Sequence, residues 1–298
     1  MKALVKTKKG EGQIALLERD IPELAGDEVL IQVAYAGVCG TDIHIYHDQY
    51  PYWPPVIIGH EFSGTVVKTG DNVTDYEIGD RVVGEPHNRA CGKCHLCRNG
   101  KIQICAEKRS IGWGIDGAFA EYVKMPQKLL HKIPEKVSME SAAMAEPSAI
   151  VAHQLLERTG VCPGDTVVIM GVGAIALIAS QMAKIAGASN IILCGCTSDM
   201  AYRLEVAKKL QCFDIFVNVQ EENLEEIVIK ETGGKGADVV VEASGAASAI
   251  GSGVKVLKKA GKFCAIGMTA REKIEFSWNE AMMKAIDIKF NMSSSYNG

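Results

Sequence analysis

The chain has 298 residues, 47% of them hydrophobic and 23% charged, with a formal net charge of −4. That length accommodates two domains, each with a core of its own. No basic cluster that could neutralise a row of phosphates occurs, no uninterrupted apolar stretch reaches membrane-spanning length and no secretory signal is expected, so nucleic acid and bilayer partners are excluded.

In chain order, short strands separated by turn residues are predicted at Ala3 to Val5, Ile14 to Leu17, Glu28 to Ala36, Gly64 to Lys68 and Ala118 to Val123. A helix is predicted from about Ser138 to Arg158, ended by the turn Cys162-Pro163-Gly164-Asp165. From Thr166 the pattern changes to buried apolar strands alternating with helices. The strands are Thr166 to Met170, Asn190 to Cys194, Ile215 to Asn218, Ala237 to Glu242, Gly261 to Ile266 and Asp287 to Met292. Helices are predicted at Ala174 to Ala186, Met200 to Leu210 and Ala247 to Leu257. This rhythm implies a parallel, doubly wound sheet of about six strands with helices on both faces.

Two sets of residues have the chemistry of metal ligands. Cys91, Cys94, Cys97 and Cys105 are spaced as C-x2-C-x2-C-x7-C with turn residues between them, and four thiolates close a tetrahedral shell around zinc with no position left open. That is a structural site, and His95 within it is left as a surface residue. Cys39, His60 and a carboxylate, either Glu61 or the distant Glu146, form a mixed set. Three such protein groups leave a fourth position for water or an alcohol, which catalysis requires. The remaining cysteines, Cys162, Cys194, Cys196, Cys212 and Cys264, are odd in number and lie mostly in apolar runs, which suits a reducing cytoplasm.

After the first strand of the parallel sheet comes Gly171-Val-Gly173-Ala174-Ile175-Ala176, a G-x-G-x-x-A turn that lets backbone approach a pyrophosphate at a helix N-terminus. At the end of the second strand, where a carboxylate usually accepts hydrogen bonds from the adenosine ribose, stands Gly195. Asp199 lies further along and reads equally as a helix N-cap. Thr197, Ser198 and Arg203 offer donors to a 2′-phosphate, so both NAD and NADP remain open, with a slight preference for NAD. Ile266 is a further expected nucleotide contact.

Taken together, Gly37-Val-Cys39-Gly-Thr41-Asp42-Ile-His44, Gly59-His60-Glu61-Phe-Ser-Gly64, Gly79-Asp80-Arg81-Val82, the cysteine lobe, Gly117-Ala-Phe-Ala-Glu121-Tyr122 and Glu146-Pro147 form an ordered set running almost the whole chain. The chain resembles the zinc-dependent medium-chain dehydrogenase/reductase family, and within it the polyol (sorbitol-type) and L-threonine 3-dehydrogenase branches. The resemblance implies a GroES-like, partly open β-barrel catalytic domain over residues 1–150, with its zinc lobe at 91–105, and a Rossmann dinucleotide domain over 151–298. Relatives continue for about fifty residues that return to the barrel domain, so that return is expected to be missing here.

It further implies two zinc ions per chain, NAD or NADP, and hydride transfer between a secondary alcohol and the nicotinamide ring. Zinc then acts as Lewis acid on the alcohol oxygen, with Thr41 as hydroxyl relay and His44 passing the proton to solvent. Asp42 orients a neighbouring group; His47 and His153 are left structural. Tyr50, Trp53 and Trp113 are candidate pocket walls. A polyol is the favoured substrate from Glu85-Pro86 and the segment Glu146 to His153, while His87 resembles the threonine branch. L-threonine 3-dehydrogenase and a noncatalytic zinc- and dinucleotide-binding protein are the alternatives. A cytoplasmic homodimer or homotetramer is expected, the last strand lying at a sheet edge.

Overall fold

The computed structural model describes residues 1–269, 271–290 and 292–294, and its contacts divide the chain between Pro147 and Ser148. The first unit contains, in order, β1 (Lys2–Lys6), β2 (Ile14–Glu18), β3 (Glu28–Gly37), α1 (Gly40–Tyr46), β4 (Val56–Ile57), β5 (Glu61–Thr69), β6 (Arg81–Gly84), α2 (His95–Arg98), β7 (Tyr122–Pro126), β8 (Leu130–Lys132), α3 (Met139–Ala142) and α4 (Ala145–Val151), the last crossing the division. A three-stranded sheet has the order β2-β1-β4, and a five-stranded sheet the order β7-β3-β5-β6-β8, all antiparallel. The larger sheet curls into a half-barrel. Val29 and Ile31 of β3, Phe62 and Val66 of β5, Val82 of β6 and Val123 and Met125 of β7 turn to one side, the period-2 pattern of a strand with one buried face, and make its core.

Two sequence expectations change here. Residues 118–121 are not strand; β7 begins at Tyr122. Their hydrogen bonds go elsewhere: the amides of Gly117, Ala118 and Phe119 donate to the carbonyls of Ile57, Gly59 and Ile58 at 2.8 to 2.9 Å. The segment thus braces the turn that leads into His60. The helix expected from Ser138 to Arg158 is broken into α3, α4 and a π-helical stretch, Ala152–Thr159. Pro147 has no N–H to give to Ala143, so a helix cannot run through from α3, whereas proline is tolerated in the first turn of α4. In the π stretch, Gly160 N–H and the Thr159 hydroxyl reach back five residues, to the carbonyls of Leu155 and Gln154 at 2.8 Å.

The second unit continues from that stretch with β9 (Thr166–Met170), α5 (Ala174–Ile185), β10 (Asn190–Gly195), α6 (Arg203–Leu210), β11 (Ile215–Asn218), α7 (Leu224–Glu231), β12 (Ala237–Glu242), α8 (Ala247–Val256), β13 (Leu257–Ala265), α9 (Trp278–Met283) and β14 (Asp287–Phe290). Its strands are all parallel, in the order β11-β10-β9-β12-β13-β14. Counted from β9, this is the 3-2-1-4-5-6 arrangement of dinucleotide-binding sheets, with connections reversing direction between β9 and β12.

Strand alternation feeds both faces. Val167 and Ile169 of β9 pack with Ala176, Ala179 and Ala183 of α5 and Ala207 of α6; Val168 and Met170 pack with Leu224 and Val228 of α7 and Val256 of α8. Helices α7 and α9 escaped the sequence reading; Asn223 caps α7 by accepting from the amides of Glu225 and Glu226. Helix α6 starts at Arg203 rather than Met200, because Thr197–Asp199 forms a separate 3-10 turn. The last strand ends at Phe290; Met292 lies beyond it. Among the described residues, no helix is long and apolar enough to cross a membrane.

Candidate metal centres and dinucleotide site

Cys39 is the N-cap residue of α1; Glu61 opens β5 and His60 immediately precedes it. One ligand atom from each of Cys39, His60 and Glu61 lies within 4.8 Å of the others. The two segments are joined by Asp42, whose carboxylate accepts from the amide of Cys39 at 2.9 Å and from that of Gly59 at 3.3 Å. Gly59 has φ +91, a left-handed conformation favouring glycine.

Every ionisable group here is held away from its charged form. Burial, then the charge of Glu61, pushes the Cys39 thiol up to about 12, although the Thr41 amide and hydroxyl reach its sulfur. Burial, then Glu61, pushes Glu146 up to about 8; burial raises Glu61 and pulls His60 down to about 4, helped by Lys108. Nδ1 of His60 is buried without a hydrogen-bond partner. A buried thiol, a neutral imidazole and nearby carboxylates are a donor set that a divalent cation would satisfy. The residues therefore fit zinc. Glu146 is not among the groups within 4.8 Å of one another, and it stands close enough to Glu61 for each carboxylate to feel the other.

Of the expected proton relay, Thr41 lies near enough to Cys39 to work against the rise of its thiol, and His44 has Nδ1 3.3 Å from Oε1 of Gln49. No side-chain hydrogen bond joins Thr41 to His44. His47 pairs with Glu11 at 3.0 Å and His153 with Glu157. Trp113 packs edge-on against His60 with ring centroids 4.9 Å apart, and Tyr50 edge-on against Trp113 at 5.7 Å. Trp53 is further out, beneath the Arg109 guanidinium. Lys108 carries no pattern in sequence that sets it apart, yet its field is felt at both His60 and Glu146.

In the cysteine lobe, one sulfur from each of Cys91, Cys94, Cys97 and Cys105 lies within 4.8 Å of the rest. Cys91 and Cys97 are 3.9 Å apart and Cys94 and Cys105 are 4.0 Å apart, too far for disulfides. Zinc–sulfur bonds of about 2.3 Å in a tetrahedron require sulfurs about 3.8 Å apart, so this cluster also fits zinc. Backbone amides of Cys94 and Cys97 point at the sulfurs of Cys91 and Cys94, at 3.4 and 3.5 Å, as in a thiolate knuckle. His95 is exposed.

In the second unit, Gly171 leaves β9 with φ +113, and a Cβ there would press on Ser244 at 3.3 Å; Gly173 is the N-cap of α5 with nothing within 4 Å of its Cβ direction. One glycine permits the turn and the other leaves the helix N-terminus open to a phosphate. Ala174 is exposed, Ile175 and Ile266 partly buried and Ala176 buried. Gly195 closes β10, and a Cβ on it would meet Val172 at 2.6 Å and Phe216 at 3.1 Å. Asp199 accepts from the Cys196 amide at 3.0 Å and from Arg203 at 2.9 Å. Thr197 is engaged with Asn218 at 3.0 Å and Glu221 at 3.3 Å, and Ser198 contacts Cys196 at 3.1 Å. Asp199 is thus not the N-cap of α6, a place Tyr202 takes; its carboxylate closes the 3-10 turn on the Cys196 amide and anchors Arg203.

The family model for the alcohol dehydrogenase GroES-like domain matches residues 25–135, and that for zinc-binding dehydrogenases matches residues 174–297. Sorbitol dehydrogenase of Halalkalibacterium halodurans is 41% identical over 97% of this chain and 83% of its own length. The chain belongs to the zinc-dependent medium-chain dehydrogenase family. Within it, D-arabitol-phosphate dehydrogenase of Enterococcus avium is 37% identical over 96% of this chain and 81% of its own. L-threonine 3-dehydrogenases match less well, that of Pectobacterium atrosepticum at 35% identity over 97% of this chain and 79% of its own. A zinc-binding dehydrogenase from Sinorhizobium meliloti, solved with NADP, superposes with a TM-score of 0.91 at 31% identity, over 99% of this chain and 85% of that one. This medium-chain dehydrogenase is accordingly a zinc-dependent alcohol or polyol oxidoreductase that uses NAD(P).

Proposed function

We propose that the chain oxidises a secondary alcohol of a polyol, holding a catalytic zinc through Cys39, His60 and either Glu61 or Glu146, and a structural zinc through Cys91, Cys94, Cys97 and Cys105. The observation that carries this reading is the convergence of Cys39, His60 and Glu61, three unlike donors from two segments, to within 4.8 Å. When bound, zinc supplies the Lewis acidity that lets an alcohol lose its proton near neutral pH, and the nicotinamide ring accepts the hydride.

The chain's own groups do the rest. Asp42 holds the segments of Cys39 and His60 in register. Trp113 and Tyr50 wall the His60 side with apolar surface that keeps water out. Thr41 takes the alcohol proton at its hydroxyl oxygen, and His44, at the surface end of α1, hands it to solvent. Because no side-chain hydrogen bond joins Thr41 to His44, whose Nδ1 faces Gln49, this handover needs a rotamer change or a bridging water. Gly171, Gly173, Ala174, Ile175 and Ala176 would seat the pyrophosphate, and Ile266 would be a further nucleotide contact.

A carboxylate has no room at Gly195, and Arg203 is anchored to Asp199 in the segment that follows β10, which supports acceptance of NADP along with NAD. L-threonine oxidation is the second reading, favoured by buried His87. The reading includes work in the cytoplasm as a homodimer or homotetramer, supported by the place of β14 at the edge of its sheet among the described residues and by Phe290, 73% exposed. The test is a panel of sorbitol, xylitol, threonine, butanediol and simple secondary alcohols with each nucleotide, alongside zinc content. Polyol-dependent reduction with two zinc ions per chain is expected; one zinc and no turnover would overturn the enzymatic assignment.

A further inference from the structure

The lysine that ends β1 lies inside the protein. Lys6 is 0% exposed, and its ammonium donates to the carbonyls of Gly10 and Gly12 at 2.6 Å and of Tyr46 at 3.3 Å. Those three acceptors match its three donors, which is what allows an ammonium to be buried. Gly12 gives its own N–H to the same Tyr46 carbonyl at 2.8 Å. Tyr46 is the last residue of α1, the seven-residue helix whose N-cap is Cys39.

On its other flank, β1 pairs with β4 through Lys6 with Val56 and Val5 with Ile57, and the Ile58 amide donates to Leu4 at 3.2 Å. The chain then enters Gly59, His60 and Glu61. Both segments that carry the candidate ligands are therefore fastened to β1, and Lys6 is where the fastenings meet. Tyr52 braces the arrangement: its hydroxyl donates to Asp48 at 2.5 Å and accepts from the Gly10 amide at 3.1 Å, with the Lys9 ammonium 3.5 Å from its ring centroid.

We infer that Lys6 is a positioning residue for the catalytic metal centre, fixing the far end of α1 against β1 and so setting the separation of Cys39 from His60 and Glu61. The inference rests on the proposed ligand set. Strand pairing of β1 uses backbone groups, so Lys6→Met leaves it in place but frees the Gly10 and Gly12 carbonyls and leaves that of Tyr46 with the Gly12 amide alone. A lysine with a merely structural role would change melting and nothing at the metal.

The test uses the full chain loaded with cobalt(II), whose absorption separates a four-thiolate site from a mixed-ligand one, and follows its release to a chelator. Lys6→Met is expected to release mixed-site cobalt about tenfold faster, the scale of a lost orienting contact, with the four-thiolate bands unchanged and with Lys6→Arg restoring most of the loss. Release from Lys6→Met within about twofold of the unaltered chain would overturn the inference. If Lys6→Met does not fold, Tyr52→Phe carries the test by the same measure, and an unchanged rate there overturns it. Cobalt at the four-thiolate site alone in the unaltered chain would sink the ligand assignment and this inference together. Loss of the mixed-site bands in Cys39→Ser, with an unaltered rate in Lys6→Met, would sink the inference alone.

Discussion

The carboxylate of Asp42 stands 3.8 Å from Nδ1 of His60, and both side chains are buried. That separation is too long for a direct hydrogen bond, yet the same carboxylate already ties the amides of Cys39 and Gly59. A carboxylate behind a metal-ligating imidazole fixes its tautomer and its orientation. Asp42→Ala is expected to lower kcat and catalytic metal affinity by about 10- to 100-fold. Loss of the α1 cap should cost about 1 kcal/mol besides. Titration with a competing chelator and a urea midpoint separate the two effects.

The two cysteine sets should respond differently. Cys39→Ser is expected to abolish turnover and remove one zinc while leaving the melting temperature near that of the unaltered chain. Cys97→Ser strips the lobe of a ligand and should destabilise the protein broadly, as loss of a structural metal does. Metal analysis beside calorimetry decides it; retained turnover in Cys39→Ser would show the ligand set to be wrong.

At the dinucleotide site, restoring an acid at position 195 should fail to create NAD selectivity. Gly195→Asp presses its Cβ on Val172 and Phe216, an overpacking expected to cost about 1–3 kcal/mol. Arg203→Ala, by contrast, removes a cation from the open end of β10 and should raise the KM for NADP while leaving that for NAD nearly unchanged. Steady-state kinetics with both nucleotides check each variant, and equal changes in the two KM values would argue against a 2′-phosphate contact.

Acid stability should depend on Asp238. Burial works to raise its pKa, but the Lys258 ammonium and the Thr166 amide, which it binds at 2.8 Å, outweigh that and leave it below the usual carboxylate value. A group depressed in the folded state stabilises it above the unfolded pKa of about 3.9 and loses that contribution as pH falls through the folded value. Since the ion pair is partly exposed, the contribution is about 0.5–1 kcal/mol. The gap in urea midpoint between the unaltered chain and Asp238→Asn should therefore be present at pH 7 and close below pH 4. A gap that persists unchanged at pH 2.5 would contradict this account.

What the sequence reveals about this molecule is what is local. Thiol spacing in the lobe and the glycines after β9 are legible because each chemistry sits within a few residues. The alternation from Thr166 to Glu242 exposes the parallel sheet for the same reason: each strand's two faces are written in consecutive side chains. Strands β4, β6 and β8 are two to four residues long and exist because distant partners accept their hydrogen bonds, so no pattern of their own announces them. Lys6 and Lys108 read as surface cations until the chain is folded around them. Pro147 could have divided the helix from Ser138 to Arg158, since its missing donor is visible in the sequence.

Each candidate zinc ligand precedes Ser148, in a unit whose two sheets, among the described residues, draw all their strands from before that point. Cys39, His60, Glu61 and the four lobe cysteines are all made before β9, and domains tend to fold in that order. The candidate metal ligands and the residues that would seat NAD(P) are thus written in successive stretches of one polypeptide, so the groups for the ion are made first.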